Sequence, residues 1–217
     1  METVAPLISD IDTVLSTTRA VRKRLDLSRP VDDDVLATCL ELALQAPTAS
    51  YAQNWHFLVL RDAAIKQQIA VLYGKAFAAY RKQIGAINEE QQTLHRVVDS
   101  ATYLAEHLGE VPVLVVPLVR RGSEDHVSVA SMYGSVIPAV WSFMLAARSR
   151  GLGTAYTTLH LAFAADIAAL LGIDDTKWVQ TALIPLAYTL GTSFHAAERK
   201  ALHTVVSVDQ FGQKPPF

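Results

Sequence analysis

The chain alternates short, nearly unbroken apolar runs with longer stretches in which apolar residues recur every three or four positions, the pattern of strands interleaved with helices. After turn-like residues 27–30, Asp32 or Asp33 is placed to cap a helix running to about Gln45. Val35, Cys39, Leu42 and Ala46 fall at near-helical spacing along it, and Pro47 ends it. Residues 55–60 read as a short strand, and a helix opens near Asp62 and lasts past Tyr80. A further helix is expected over 89–108, with Glu89, Glu90, Arg96, Asp99 and Glu106 on a solvated side. Leu94, Val97, Val98, Ala101, Leu104, Ala105 and Leu108 form its packed side. Residues 111–119 are continuously apolar. A strand is expected there whose interior is shorter than the run, because neither Pro112 nor Pro117 can donate a sheet hydrogen bond.

Polar residues 120–126 lead into the longest apolar segment, 127–147, which has no formal charge and is long enough for a bilayer, a span of about 20 residues. Ser128, Ser131, Gly134, Ser135, Pro138 and Ser142 interrupt it and Arg148 and Arg150 close it, so it is read as a buried helix and no membrane association is expected. Tyr133, Ile137, Trp141 and Leu145 recur along it as a stripe suited to core or subunit packing. Gly151-Leu152-Gly153 stops this helix, and residues 161–171 supply another. Residues 182–190 read as an apolar strand bent or edged at Pro185, and 205–208 as a short late strand. With no internal repeat and no linker-like stretch, residues 1–217 are expected to form one α+β domain.

Composition sharpens this picture. Hydrophobic residues make up 51% and charged residues 18%, with a formal net charge of −2, which excludes a largely disordered chain and disfavours nucleic-acid binding. A mean hydropathy of +0.22 implies more apolar surface than a monomer of this size conceals, so an oligomer is expected. Cys39 is the one cysteine, which precludes an intrachain disulfide and reads as a small core hydrophobe. The start of the chain carries Glu2, Asp10 and Asp12 without a basic region and apolar run, so no signal peptide is read and a cytoplasmic location is expected.

Familiar catalytic patterns are absent from the sequence. The seven histidines are scattered without metal-ligand spacing, and the glycine pair at 151–153 follows a helix and lacks the rest of a dinucleotide fingerprint. Neither a G-x-S-x-G elbow nor a Walker loop occurs. What stands out is the basic segment Thr18-Arg19-Ala20-Val21-Arg22-Lys23-Arg24 and a second basic pair, Arg199-Lys200. Arginine holds phosphate through a fixed fork of donors, so two such segments can converge on a phosphorylated cofactor, the plain alternative being a solvated surface.

Between them, Ala46-Pro47-Thr48-Ala49-Ser50-Tyr51-Ala52-Gln53-Asn54-Trp55-His56-Phe57 resembles the flavin-dependent nitroreductase family, whose pattern runs A-P-S, one or two small residues, N-x-Q-P-W and an apolar strand. Arg19-Ala20-Val21-Arg22 is similar to that family's R-S-x-R segment, and Pro30-Val31 lies at the familiar distance before the first long helix. Leu145-Ala146-Ala147 through Gly151-Leu152-Gly153 resembles its L-A-A…G-L-G helix end. Leu190-Gly191 followed by Arg199-Lys200 resembles its closing strand and basic tail. The resemblance covers almost the whole chain.

It implies a mixed sheet flanked by helices in an intertwined homodimer, with both terminal segments contributing to the dimer and FMN at each of two interface sites. NADH or NADPH would reduce the flavin and leave before a nitroaromatic or quinone-like acceptor enters, in a ping-pong cycle. By the same resemblance Arg19, Ala20, Arg22, Pro47, Thr48, Ser50, Gln53, Gly153, Thr154, Arg199 and Lys200 bind the cofactor. Arg22 is also the candidate for stabilising charge near the flavin N1 and C2 carbonyl, and Tyr51 and Tyr133 are the substrate-shaping candidates. Ala20, Tyr51 and Asn54 depart from the family's Ser, Asn and Pro, moving particular hydrogen bonds without removing the positive site. Trp55 is expected in the core. Alternatives are an FMN-dependent dehydrogenase or reductive dehalogenase of a small metabolite, a flavin-storage protein without turnover, and a cofactor-free helical dimer. Specificity is expected to lie in residues 73–86 and 120–129.

Overall fold

The computed structural model describes residues 7, 8, 10–85, 88 and 90–216. Asp10 opens α1 (Ile11–Thr17) by accepting the Thr13 N–H at 2.9 Å. Asp32 stands at the N-cap of α2 (Asp33–Ala43), yet its carboxylate accepts the Tyr188 hydroxyl at 2.6 Å in place of a backbone N–H. Burial first, and then this carboxylate, push the Tyr188 phenol up to about 12. The buried face of α2 is Leu36, Cys39 and Ala43, whereas Leu42, expected on the packed stripe, is 43% exposed. Cys39 is fully buried, and its thiol is pushed up to about 11 by desolvation, as befits an inert core residue.

β1 (Trp55–Leu60) and α3 (Ala63–Ile84) follow, the latter capped by Asp62 accepting the Ile65 N–H at 2.9 Å. α4 (Gln92–His107) buries Val98 and Leu104, while Val97, expected on its packed side, is 46% exposed. Glu89, the first residue of the expected helix, lies outside the described residues, as do Glu2 and Ala86. β2 is Val113–Arg120, α5 is His126–Ser149 and β3 is Leu152–Thr154. A 3-10 turn at Leu159–Phe163 leads into α6 (Ala164–Leu171), then β4 (Trp178–Gln180) and β5 (Ile184–Tyr188).

The strands form one five-stranded sheet in the order β1-β2-β5-β3, with β4 paired to the far end of β2. Strand pairs are antiparallel, and a parallel bridge joins Ala20 to Thr154. Pro117 does not shorten β2 as expected. Leu118 pairs with Gln180 while Val113 pairs with Leu186, so one extra residue bulges between β4 and β5, opposite Pro117. The Pro117 carbonyl accepts both the Thr181 N–H and hydroxyl at 3.0 Å, and the Thr181 carbonyl lies 3.4 Å from the donating Tyr156 hydroxyl. The missing proline N–H is thereby replaced by a phenol.

Pro185 is not at an edge either, since β5 lies between β2 and β3. Thr189 donates to the Gly151 carbonyl at 3.0 Å, and counting alternately from that pair aims the Pro185 nitrogen past Thr154, where β3 has ended. The pairing resumes in the same register at Thr157 and Leu183, so the one bond this ladder forgoes is the one an N–H at 185 would give to Ala155. Residues 205–208 form no strand: Val205 is 61% exposed, the preceding Leu202–Thr204 is a 3-10 turn, and no described strand lies alongside to pair with.

Alternation along β2 and β5 divides the core. Val113, Val115, Val119, Ile184 and Leu186 face α2 and α5, whereas Leu114, Val116, Leu118, Leu183 and Ala187 face α3, α4 and α6. α5 is the one described helix that is long and apolar enough to cross a membrane by composition. Its lack of charge is explained on one side by Val136, Ala139, Val140, Phe143 and Ala147, fully buried beneath β2, β3 and α2. Of the expected stripe, Ile137 and Trp141 lie on the outer side, 43% and 42% exposed, whereas Tyr133 packs against the core.

His160 is fully buried in the turn before α6, and neither ring nitrogen has a hydrogen-bond partner among the described residues. Desolvation holds its pKa down at about 4. Because the unfolded chain protonates this histidine near pH 6.5 and the folded one does not, stability is full above that pH. It falls as pH drops toward about 4, and this contribution then levels off. His160→Leu is expected to remove up to about 3 kcal/mol of the acid-dependent loss, read as the difference between the two proteins' urea unfolding curves at pH 7 and pH 4.5.

Candidate functional site

Residues 20–25 run beside β3, anchored by the Val21 N–H donating to the Thr154 carbonyl at 2.8 Å. Val21 and Leu25 point into the core at either end of a turn over residues 22–24, closed by the Leu25 N–H donating to the Arg22 carbonyl at 3.3 Å, which leaves Arg22 and Arg24 half-buried and Lys23 exposed. Gly153 is required for this approach: a Cβ there would sit 2.9 Å from Val21 and 2.8 Å from Thr189 side-chain atoms. The G-L-G turn therefore seats the basic segment against the sheet.

Arg19, Ala20, Arg22, Lys23 and Arg24 line a cavity of about 290 Å³ together with Ser100 from α4 and Ser193, Phe194 and His195 from the segment after β5. Arg22 donates to the Ser100 hydroxyl at 3.3 Å and Lys23 pairs with Asp99 at 2.5 Å, which ties α4 to the segment. Arg19 donates to the His195 carbonyl at 2.9 Å, which engages one nitrogen of its fork. Among the described residues Asp99 is the carboxylate ion-paired with this run, and four cations line the cavity. Such an excess of guanidinium and ammonium donors suits an anionic ligand, above all a phosphate.

Close by, Arg148 is only 6% exposed, its Nε lacks a partner, and its Nη2 donates to Thr17 Oγ1 at 3.2 Å. Burial, and then the nearby Arg24 charge, hold its pKa below the usual arginine range. Tyr73, buried on α3, shares a 3.0 Å hydrogen bond with Thr157. Burial raises its pKa, against a lowering influence from the Thr157 bond and Arg22.

The structure thus brings together Arg19, Ala20, Arg22, Gly153 and Thr154 and separates them from the other expected contacts. Pro47, Thr48, Ser50 and Gln53 lie on the turn after α2, where the Ala49 N–H donates to Ser135 Oγ of α5 at 3.1 Å. Ser50 lines a second cavity of about 460 Å³ with Asn54, Arg120, Ser128 and Ser135. Ser50, Tyr51 and Gln53 have φ of 52°, 56° and 43°, three left-handed residues without glycine on either side of right-handed Ala52, and the turn presents an 83% exposed Tyr51. Tyr133 is half-buried on α5 against the core. Arg199 and Lys200 are exposed, Arg199 donating to the adjacent Glu198 carbonyl at 3.3 Å. Trp55 packs at the core margin, as expected.

The sequence places Lys23 and Arg24 in the basic segment suited to an anion without giving either a cofactor contact, and it does not point to Ser100, Phe194 or His195. The density of basic residues over 19–24 was the available signal for Lys23 and Arg24. Nothing local marked the tail residues.

The nitroreductase family model matches residues 15–188. In fold the chain is similar to oxidized iodotyrosine deiodinase bound to FMN and 3-iodo-L-tyrosine, at 19% identity and a TM-score of 0.74, covering 93% of this chain and 100% of that one. It is also similar to a BluB-like flavoprotein from Clostridium difficile 630, at 15% identity and a TM-score of 0.70, covering 94% of this chain and 100% of that one. The FMN-dependent nitroreductase NfnB from Mycobacterium smegmatis, crystallised in complex with NADPH, matches at 20% identity and a TM-score of 0.61, with 82% of this chain and 86% of that one covered.

Proposed function

We propose, on the premise that this chain belongs to the nitroreductase family, that it is an FMN-dependent oxidoreductase. It takes electrons from NADH or NADPH and passes them to nitroaromatic or quinone-like acceptors in a ping-pong cycle. The cation-lined cavity beside β3, built from Arg19, Arg22 and Arg24 with Thr154 behind, is the observation that carries this function. Its donor set fits a flavin phosphate at the Arg19 end and an electron-accepting ring nearer Arg22.

When bound, FMN supplies the two-electron exchange between donor and acceptor. Arg19 keeps free the donors that the His195 carbonyl does not use, and these hold the phosphate. Arg22, steadied by Ser100, supplies positive charge where the ring gains negative charge on reduction. Gly153 and Thr154 bring the backbone close to the cofactor, with Ala20 bridged to Thr154. Arg199 and Lys200, which do not line this cavity within one chain, are assigned to the phosphate by the family resemblance alone, as Tyr51 and Tyr133 are to the acceptor side.

The protein acts as a homodimer. Pro47, Thr48, Ser50 and Gln53 stand apart from the basic segment within one chain, and a second copy supplies them to the same cofactor. The exposed Ile137 and Trp141 on α5, with Leu42 43% and Ile11 61% exposed, support such pairing. Residues 1–217 act as one unit, in a reducing, cytoplasmic setting. Parallel initial-rate lines for NADPH against a nitroaromatic, with FMN-loaded protein, are the expected result; intersecting lines would refute the ping-pong order. A second reading, reductive dehalogenation of a small aromatic metabolite, draws support from the fold likeness to the deiodinase over its full length.

A further inference from the structure

Three hydrogen bonds join the segment after β5 to Arg24 of the basic segment. Arg24 donates through Nε to the Leu190 carbonyl at 2.9 Å and through Nη1 to the Ser193 carbonyl at 2.7 Å, while the Leu190 N–H returns to the Arg24 carbonyl at 2.8 Å. Its guanidinium carbon also lies 4.1 Å from the Phe194 ring centre, and that of buried Arg148 lies 4.4 Å from the same centre. Gly191, at φ 77°, makes room for the fork, since a Cβ there would be 3.1 Å from Arg24 Nη2. One residue beyond Phe194, the His195 carbonyl receives Arg19.

We infer that Arg24 and Phe194, braced by Arg148, form a clamp that fixes the 190–195 segment and thereby orients Arg19 toward its ligand. Arg24 is a positioning residue: two of its donors are spent on backbone carbonyls, and its effect on the cofactor passes through Arg19. The inference rests on the assignment of FMN to this cavity. It requires the planar fork, because a lysine ammonium retains the charge but cannot reproduce two donors in that geometry while covering the ring.

The test is a double-mutant cycle on FMN affinity, read by flavin fluorescence titration of the full chain. Arg24→Lys is expected to weaken FMN about tenfold, the size of one lost charged hydrogen bond. The same change in an Arg19→Ala background is expected to cost less than about twofold, because the residue through which it acts is gone. Phe194→Leu, which keeps an apolar side chain, is expected to follow the same non-additive pattern and serves if the Arg24 variant does not fold. Wild-type affinity in both Arg24→Lys and Phe194→Leu, or losses that simply multiply with that of Arg19→Ala, would overturn the clamp. No FMN binding by the unaltered protein would instead remove the functional assignment, and the inference with it.

Discussion

Trp141→Glu is expected to turn the protein into a monomer that no longer retains FMN. Trp141 and Ile137 lie on the outer side of a helix whose inner side is already buried beneath the sheet, so folding of a single chain leaves each of them about two-fifths uncovered, at 42% and 43%. Leu42, Ile11 and Leu15, at 43%, 61% and 48% exposure, are further apolar side chains left at the surface of the neighbouring α1 and α2, which both pack on α5. A carboxylate placed at the centre of a subunit contact would be stripped of water without a cation to meet it, at a cost of several kcal/mol. In a lone chain the same residue stays solvated and costs little, so the change separates assembly from folding. Light scattering should give the monomer mass with an unchanged far-ultraviolet spectrum, and FMN should be lost on gel filtration. A dimeric variant that keeps its flavin would place the subunit contact elsewhere.

Arg19→Ala should weaken FMN by about 10- to 100-fold, corresponding to the roughly 1.5 to 3 kcal/mol of a charge-assisted hydrogen bond. Arg19 is exposed and its one described hydrogen bond goes to a backbone carbonyl, so its removal takes little from the fold. The melting temperature of the unliganded protein should hardly move. Equal FMN affinity in wild type and variant, measured by fluorescence titration at moderate salt, would remove Arg19 from the phosphate site.

Much of the fold was legible because burial on both sides of a sheet leaves a plain trace. β1, β2 and β5 are apolar runs, and α3 and α5 are long periodic segments with aspartate caps at Asp62 and Asp125. Prolines misled the local argument. Whether Pro117 or Pro185 breaks a ladder depends on which way its nitrogen points in the register, and on a bulge and a phenol contributed by residues far along the chain. The face of α2 was read one position off because an apolar residue meant for solvent or a subunit contact, such as Leu42, looks in sequence like a core residue.

The site was half legible. Arg19, Arg22 and the G-L-G turn were found together because each carries a short local pattern of the family, and the close approach of Val21 to Gly153 gives that glycine its physical reason. Ser100, Phe194 and His195 reach the same cavity from α4 and from beyond β5, and no local pattern in either segment announces it. The loop at Ser50 to Gln53 was read as a binding segment by its motif, but its left-handed backbone is a conformational fact that spacing does not carry.

This chain is expected to hold FMN in a form that a nicotinamide donor can reduce. The most direct test is the visible spectrum of the FMN-loaded protein during anaerobic addition of NADPH, repeated with NADH. Bleaching of the bound flavin band near about 450 nm with at least one donor is the predicted result. Bound flavin that neither donor bleaches, or a protein that takes up no FMN, would contradict it.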